Sequence, residues 1–147
     1  MSDNDLVLEN FLPYRLSYLT NIISRRLARL YSGEFGITAH EWKILANLNR
    51  HPDISAAEVG EKTAMDKVAV SRAVSGLCYK GLVDRKISQQ DRRRSVLNMT
   101  AEGKKIYGQI KPLVIDYEKS LLNILSPQEL SLFDQLLDKL TRHVETD

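Results

Sequence analysis

The sequence has little of what most chemistry needs. Its one cysteine, Cys78, has no partner for an intrachain disulfide and cannot build a multi-thiolate metal site. The three histidines, His40, His51 and His143, are scattered. His40-Glu41 opens like a zinc-protease helix, but Ile44 stands where the second histidine must be, so no metal is expected. No phosphate-cradling loop, dinucleotide fingerprint or nucleophile elbow is present, which leaves no basis for an enzyme or a bound cofactor. Asp84 and Asp91 lie among arginines, where charge pairing accounts for them better than acid–base work. Long apolar runs are also missing. The longest uncharged stretches are nine residues, 16–24 and 120–128, too short for a transmembrane helix or a secretory leader, so a cytoplasmic chain is expected.

What remains is an ordinary soluble composition over 147 residues, 43% hydrophobic and 27% charged, enough for one domain with its own core. The net charge of +2 conceals an asymmetry. Residues 62–94 carry nine Lys or Arg against three Asp, whereas residues 113–147 carry three against seven acidic residues. A basic centre between acidic ends is the distribution of a chain that meets a polyanion through its middle.

Periodicity predicts helices at both ends. Leu12, Leu16, Leu19, Ile23, Leu27 and Leu30 form one stripe over 11–31, with Asn10 as its cap and Pro13 in the first turn. Thr38 and Glu41 read as a capping box for a second helix, lined by Trp42, Leu45 and Leu48 and stopped by Pro52. Ser55 with Glu58 opens a short third helix over 56–63. Asp66 caps a fourth over 67–80, which buries Val70, Val74 and Leu77. Gly81 closes it. The period then changes to two short strands, 82–87 and 95–99, around an Arg-rich loop. Thr100 with Gly103 reopens a helix in which Pro112 should cause a bend. Ser126, Pro127 and Glu129 start a last helix with the seam Leu130, Phe133, Leu137, Leu140 and Val144.

Two capped helices joined by Ala64-Met65-Asp66 and followed by a basic hairpin form a winged helix-turn-helix, in a chain that is otherwise mainly α. Such a unit presents the polar N-terminal half of its second helix to a major groove. Here that half offers Lys67, Ser71, Arg72 and Ser75, while Arg92, Arg93 and Arg94 at the hairpin suit a minor groove or the phosphate backbone. The partner expected is double-stranded DNA. The alternative is a winged-helix protein-interaction module that does not bind DNA. The terminal helices carry more apolar seam than so small a centre can cover, which favours a symmetric homodimer over an intrachain bundle.

The run Glu58-Val59-Gly60 through Val70-Ser71-Arg72, then Leu77, Gly81-Leu82-Val83 and Arg85, resembles the helix-turn-helix of the MarR family of bacterial transcription regulators. Asp91-Arg92-Arg93, Leu97, Met99-Thr100 and Gly103 are similar to that family's wing and the start of its next helix. The resemblance implies a single domain over 1–147. Residues 38–100 would form the DNA-binding lobe, and 1–32 with 101–147 the dimerisation region. It implies DNA contacts from Lys67, Val68, Ser71, Arg72, Ser75, Asp91, Arg92, Arg93 and Arg94, with Asp91 orienting Arg93 by a salt bridge. It also implies a pseudo-palindromic operator and, for many members, repression relieved by a small aromatic or phenolic compound. The stretches Leu12-Pro13-Tyr14-Arg15-Leu16, Ser24-Arg25, Phe35-Gly36-Ile37-Thr38 and Glu41-Trp42 look like a subset tied to aromatic-acid catabolism, including sensors of aromatic acyl-CoA. Peroxide-sensing members carry a cysteine near the start of the first helix, which this chain lacks. Arg15, Tyr18, Arg25, Arg29, Tyr31, His40 and Trp42 are therefore the expected effector-binding residues, since aromatic faces and guanidinium groups suit a flat anion.

Overall fold

Short polar side chains set where the helices begin, and they do so through local hydrogen bonds that the computed structural model, which describes residues 5–146, makes explicit. The first four residues and Asp147, at the two ends of the expected helical region, lie outside the described part. The elements run α1 (Leu12–Tyr31), α2 (Ala39–Arg50), α3 (Ala56–Thr63), α4 (Lys67–Tyr79), β1 (Val83–Ile87), β2 (Ser95–Met99), α5 (Ala101–Leu122) and α6 (Pro127–Glu145). Thr38 Oγ1 accepts the Glu41 N–H at 3.1 Å while Glu41 Oε1 accepts the Thr38 N–H at 2.9 Å, a complete capping box for α2. Ser55 accepts from the Glu58 N–H at 3.2 Å for α3, and Asp66 from the Ala69 N–H at 2.8 Å for α4. Ser126 and Glu129 repeat the reciprocal box for α6. Each such cap contributes about 1 kcal/mol.

The start of α1 departs from expectation. Asn10 ends a 3-10 turn, Leu8–Asn10, and its own N–H is donated to the Val7 carbonyl. Phe11 is the capping residue and supplies no side-chain bond, so α1 begins on the preset backbone of Pro13 alone.

Residues 5–111 form one contact unit of the chain and residues 112–146 the described part of the other. In the first, α2, α3 and α4 pack through Ile44, Leu45, Leu48, Val59, Val70, Ala73, Val74 and Leu77, all buried. Ile44, not Trp42, completes the inner face of α2; Trp42 is half-buried. The hairpin pairs Val83 with Met99 through Ile87 with Ser95, antiparallel. Val83 and Leu97 on one face of the hairpin, and Val96 on the other, are buried. A third edge that periodicity did not indicate is a single bridge between Ile54 and Leu97, where the Leu97 N–H donates to the Ile54 carbonyl at 2.8 Å. Leu82 stays out of the sheet because its N–H is given to the Leu77 carbonyl and its own carbonyl accepts the Thr100 N–H.

The first turns of α5 belong to this unit. Thr100 Oγ1 donates to the Gly81 carbonyl at 2.7 Å and accepts the Gly103 N–H at 3.0 Å. A Cβ on Gly103 would overlap the Leu82 carbonyl oxygen, so only glycine allows this approach. The boundary between units therefore falls inside α5, not at its start. The helix runs on through Pro112 without interruption. In the second unit α6 buries none of its residues, and Leu132, Phe133, Leu136, Leu137, Leu140 and Val144 are all exposed. Among the described residues no helix is long and apolar enough to cross a membrane.

Candidate nucleic-acid interface

The turn between α3 and α4 is built around a left-handed residue. Ala64, with φ of 54°, ends α3, and Thr63 Oγ1 bonds back to the Val59 carbonyl at 2.7 Å while accepting the Met65 N–H. This tight reversal launches α4 with Val70, Ala73, Val74 and Leu77 turned inward. Lys67, Val68, Ser71, Arg72 and Ser75 are then all exposed. A cleft flanks the helix on each side. One, of about 670 Å³, runs against the start of α2 and is lined by Thr38, His40, Lys67, Val68 and Arg72 among others. The other, of about 550 Å³, lies against α3 and β1 and is lined by Gly60, Lys67, Ser71 and Arg85 among others. Furrows on both sides leave the N-terminal half of α4 standing as a ridge, the form a helix needs to enter a groove of duplex DNA.

The hairpin tip is held by its own polar groups. Ser88 Oγ accepts the N–H groups of Gln90 and Asp91 at 3.2 and 3.3 Å. The Ser88 N–H donates to the Arg94 carbonyl at 2.8 Å, closing the loop. Asp91 does reach Arg93, but through the backbone: its carboxylate accepts the Arg93 N–H at 3.0 Å. No ion pair joins Asp91 to the Arg93 guanidinium; the carboxylate closes the turn on the backbone instead. Arg92 and Arg93 are consequently exposed with their guanidinium groups unpaired among the described residues. Arg94 is half-buried and paired with Glu58 of α3.

One buried charge escaped the sequence reading. Glu41 is only 3% exposed, although its capping role alone would leave it at the surface. Its Oε1 accepts from Lys80 Nζ at 2.6 Å, and the same ammonium donates to the Gly36 carbonyl at 2.7 Å. Lys80 thus ties the end of α4 to the entry of α2. Gly76 makes room for the pair, since a Cβ there would overlap the Glu41 carboxylate. A glycine inside a helix costs about 1 kcal/mol against alanine and was the available clue.

The residues expected to bind an effector do not gather as a set. Arg15, Tyr18, Arg25 and Arg29 are exposed on α1. By the helical period they share one stripe, with Tyr31 on roughly the opposite side. Tyr31 is buried, which pushes its phenol above the ordinary tyrosine range. It stacks on Trp42 at 5.9 Å between ring centroids, and Trp42 stacks on Tyr107 at 5.3 Å. Tyr107 was not anticipated, because it lies far along the chain in a helix read only for its apolar stripe. His40 lines the cleft beside α4 instead. No group of three potential metal ligands exists among the described residues.

Residues 35–94 match the model of the MarR family. The multiple antibiotic resistance protein MarR of Escherichia coli is 29% identical over 139 residues, 94% of this chain and 96% of that protein. A MarR/EmrR family transcriptional regulator from Acinetobacter superposes with a TM-score of 0.88 at 27% identity, covering 97% of this chain and all of the other. The chain is thus similar to MarR-family proteins, through the model over its centre and through relatives over nearly its whole length. A mutant MarR from E. coli, solved with operator DNA, superposes with a TM-score of 0.79 at 28% identity over 93% of this chain and 99% of that one. The Acinetobacter relative is a transcriptional regulator, and the family model spans the chain from just before α2 to the hairpin tip, stopping short of β2. The spacing from Thr100 to Gly103 now has a physical meaning. The threonine ties the hairpin exit to Gly81, and the glycine lets α5 lie against the Leu82 backbone.

Proposed function

We propose that this chain is a sequence-specific DNA-binding regulator, acting as a homodimeric repressor on a pseudo-palindromic operator. The observation that carries the reading is the exposed ridge of α4, polar and basic through Lys67, Ser71, Arg72 and Ser75, beside a hairpin whose Arg92 and Arg93 are exposed and have no acidic partner among the described residues. Val68, 60% exposed on the same ridge, suits apolar contact with a thymine methyl. Residues 38–100 would form the DNA-reading lobe, and Asp91 would serve it by shaping the turn that aims Arg93. The related MarR from E. coli bound to operator DNA supports the same reading.

The homodimer rests on unpartnered apolar faces in 1–32 and 101–147. α1 exposes Leu12, Leu16 and Leu19, and α6 exposes Phe133, Leu137 and Leu140. Covering each such side chain is worth roughly 1.5–3 kcal/mol. Two lobes related by a two-fold axis would then read two half-sites a helical turn apart. The effector is proposed to be a small aromatic acid or acyl-CoA thioester, on the strength of the Tyr31–Trp42–Tyr107 stack and the arginine stripe of α1. Selection of random duplexes by the purified protein, read by sequencing, tests the core of this reading. A motif with dyad symmetry is expected; enrichment of no motif would leave the protein-interaction alternative standing.

A further inference from the structure

We infer that Arg94 serves DNA binding without touching DNA: through its ion pair with Glu58 it is a positioning residue that fixes the wing against α3. The inference rests on the DNA-binding reading above and divides the three wing arginines into two kinds. Arg92 and Arg93 are exposed, and neither guanidinium has an acidic partner among the described residues. Arg94 differs in every respect. Its side chain is 41% exposed, its guanidinium meets a Glu58 carboxylate that is itself 34% exposed, and its backbone closes the loop at both ends. The Arg94 N–H donates to the Asp91 carbonyl at 3.0 Å, and its carbonyl accepts the Ser88 N–H at 2.8 Å.

Glu58 is equally committed. It stands in the first turn of α3, where its N–H is capped by Ser55 and its carboxylate accepts the Ser55 hydroxyl at 3.3 Å. A negative charge there is favoured by the helix N-terminus. The pair therefore joins the capped first turn of a short helix to the end of the loop between the two strands. Beside it, Lys86, Asp53 and Asn98 line a cleft of about 410 Å³ between the hairpin and the entry to α3. Asn98 is occupied by Asp53, to which its amide donates at 2.6 Å. No other acidic partner for Arg94 is found among the described residues.

The Arg94–Glu58 pair as a whole carries no net charge, and a guanidinium held on a carboxylate displaces no counterion from a phosphate. Its loss should leave the salt dependence of binding unchanged, whereas loss of a phosphate contact lowers that slope by about one per site. The test compares Glu58→Gln, Arg94→Gln, the exchange Glu58→Arg with Arg94→Glu, and Arg92→Ala. Probes are a duplex selected by the protein and a random-sequence duplex, across a salt series, with thermal melts to confirm folding. Positioning predicts that Glu58→Gln weakens binding to the selected duplex by about fivefold, the scale of a part-exposed pair, even though it deletes a negative charge near a polyanion. Arg94→Gln should match it with an unchanged slope, and the charge exchange should recover part of the affinity, because a cation at the start of α3 is itself unfavourable. Arg92→Ala should lower the slope. The inference is overturned if Glu58→Gln tightens binding, if Arg94→Gln lowers the slope, or if the exchanged pair stays as weak as Arg94→Gln. If the unaltered protein binds neither duplex, the DNA-binding reading has failed and takes the inference with it, an outcome distinct from the other three.

Discussion

Residues 38–100 and α6 illustrate two ways in which an apolar stripe can be used. In the winged-helix segment every stripe is consumed at home: Ile44, Val59, Val74 and Leu77 have essentially no exposure. In α6 the stripe is just as regular, yet none of its residues is buried. Periodicity and capping are indistinguishable in the two, since Thr38 with Glu41 and Ser126 with Glu129 make the same box. What differs is whether the chain supplies a partner surface. Under the proposed homodimer, α6 is the face on which a second copy would pack.

The largest effect should come from breaking that second use. Leu137→Glu places a charge in the middle of the α6 seam and removes nothing from the winged-helix core. Sedimentation at micromolar concentration should give twice the 16.8 kDa chain mass for the unaltered protein and a single chain mass for the variant. A variant that remains a full dimer would show that the α6 face is not the interface. Next in size is Gly103→Ala, which forces a methyl group onto the Leu82 carbonyl. Overpacking of this kind costs about 1–3 kcal/mol, read as a lower Tm in a thermal melt. Gly108→Ala, one and a half turns later with open space around it, should instead stabilise α5 by roughly 0.5–1 kcal/mol. Equal effects from the two glycines would contradict the close approach of α5 to Leu82.

A third comparison concerns the clamp at Glu41. Glu41→Ala removes the capping acceptor and strands the Lys80 ammonium, whereas Glu41→Gln keeps an acceptor for the Thr38 N–H and loses only the charge. Lys80 is about a third exposed, so solvent screens the pair and the full cost of a buried one does not apply. Glu41→Ala is expected to lower stability by about 2 kcal/mol and Glu41→Gln by about half that, measured as the denaturation midpoint. Identical losses would mean that the ion pair, not the cap, carries the whole effect.

These residues also show what could be read from the chain. Thr38, Ser55, Asp66 and Ser126 were legible as caps because each bond spans three residues, and the helix-turn-helix and hairpin followed from them. The Glu41–Lys80 pair spans 39 residues, and no local rule joins its ends. The same holds for Tyr107 on Trp42 and for Arg94 with Glu58. Within one chain the expected effector residues do not share a face, for a geometric reason. They were chosen for type and nearness in sequence, but the period of α1 sends Tyr31 inward and the arginines outward. Asp91 was assigned a partner by analogy, and the turn took its carboxylate first.

The smallest expected effect lies in the turn that launches α4. Ala64 holds a φ of 54°, a conformation in which the Cβ of an L-residue crowds the following carbonyl. That crowding costs about 1–2 kcal/mol, part of which glycine would offset by its own greater freedom in the unfolded chain. Ala64→Gly should therefore stabilise the fold by roughly 0.5–1 kcal/mol, seen as a rise in Tm. The change touches no exposed residue of α4, and Thr63 still fixes the turn through the Val59 carbonyl and the Met65 N–H. Affinity for the selected duplex should stay within twofold of the unaltered protein. A stabilised variant with sharply weaker DNA binding would mean that the strain at Ala64 sets the aim of the recognition helix, and that the segment which looked purely structural belongs to the interface.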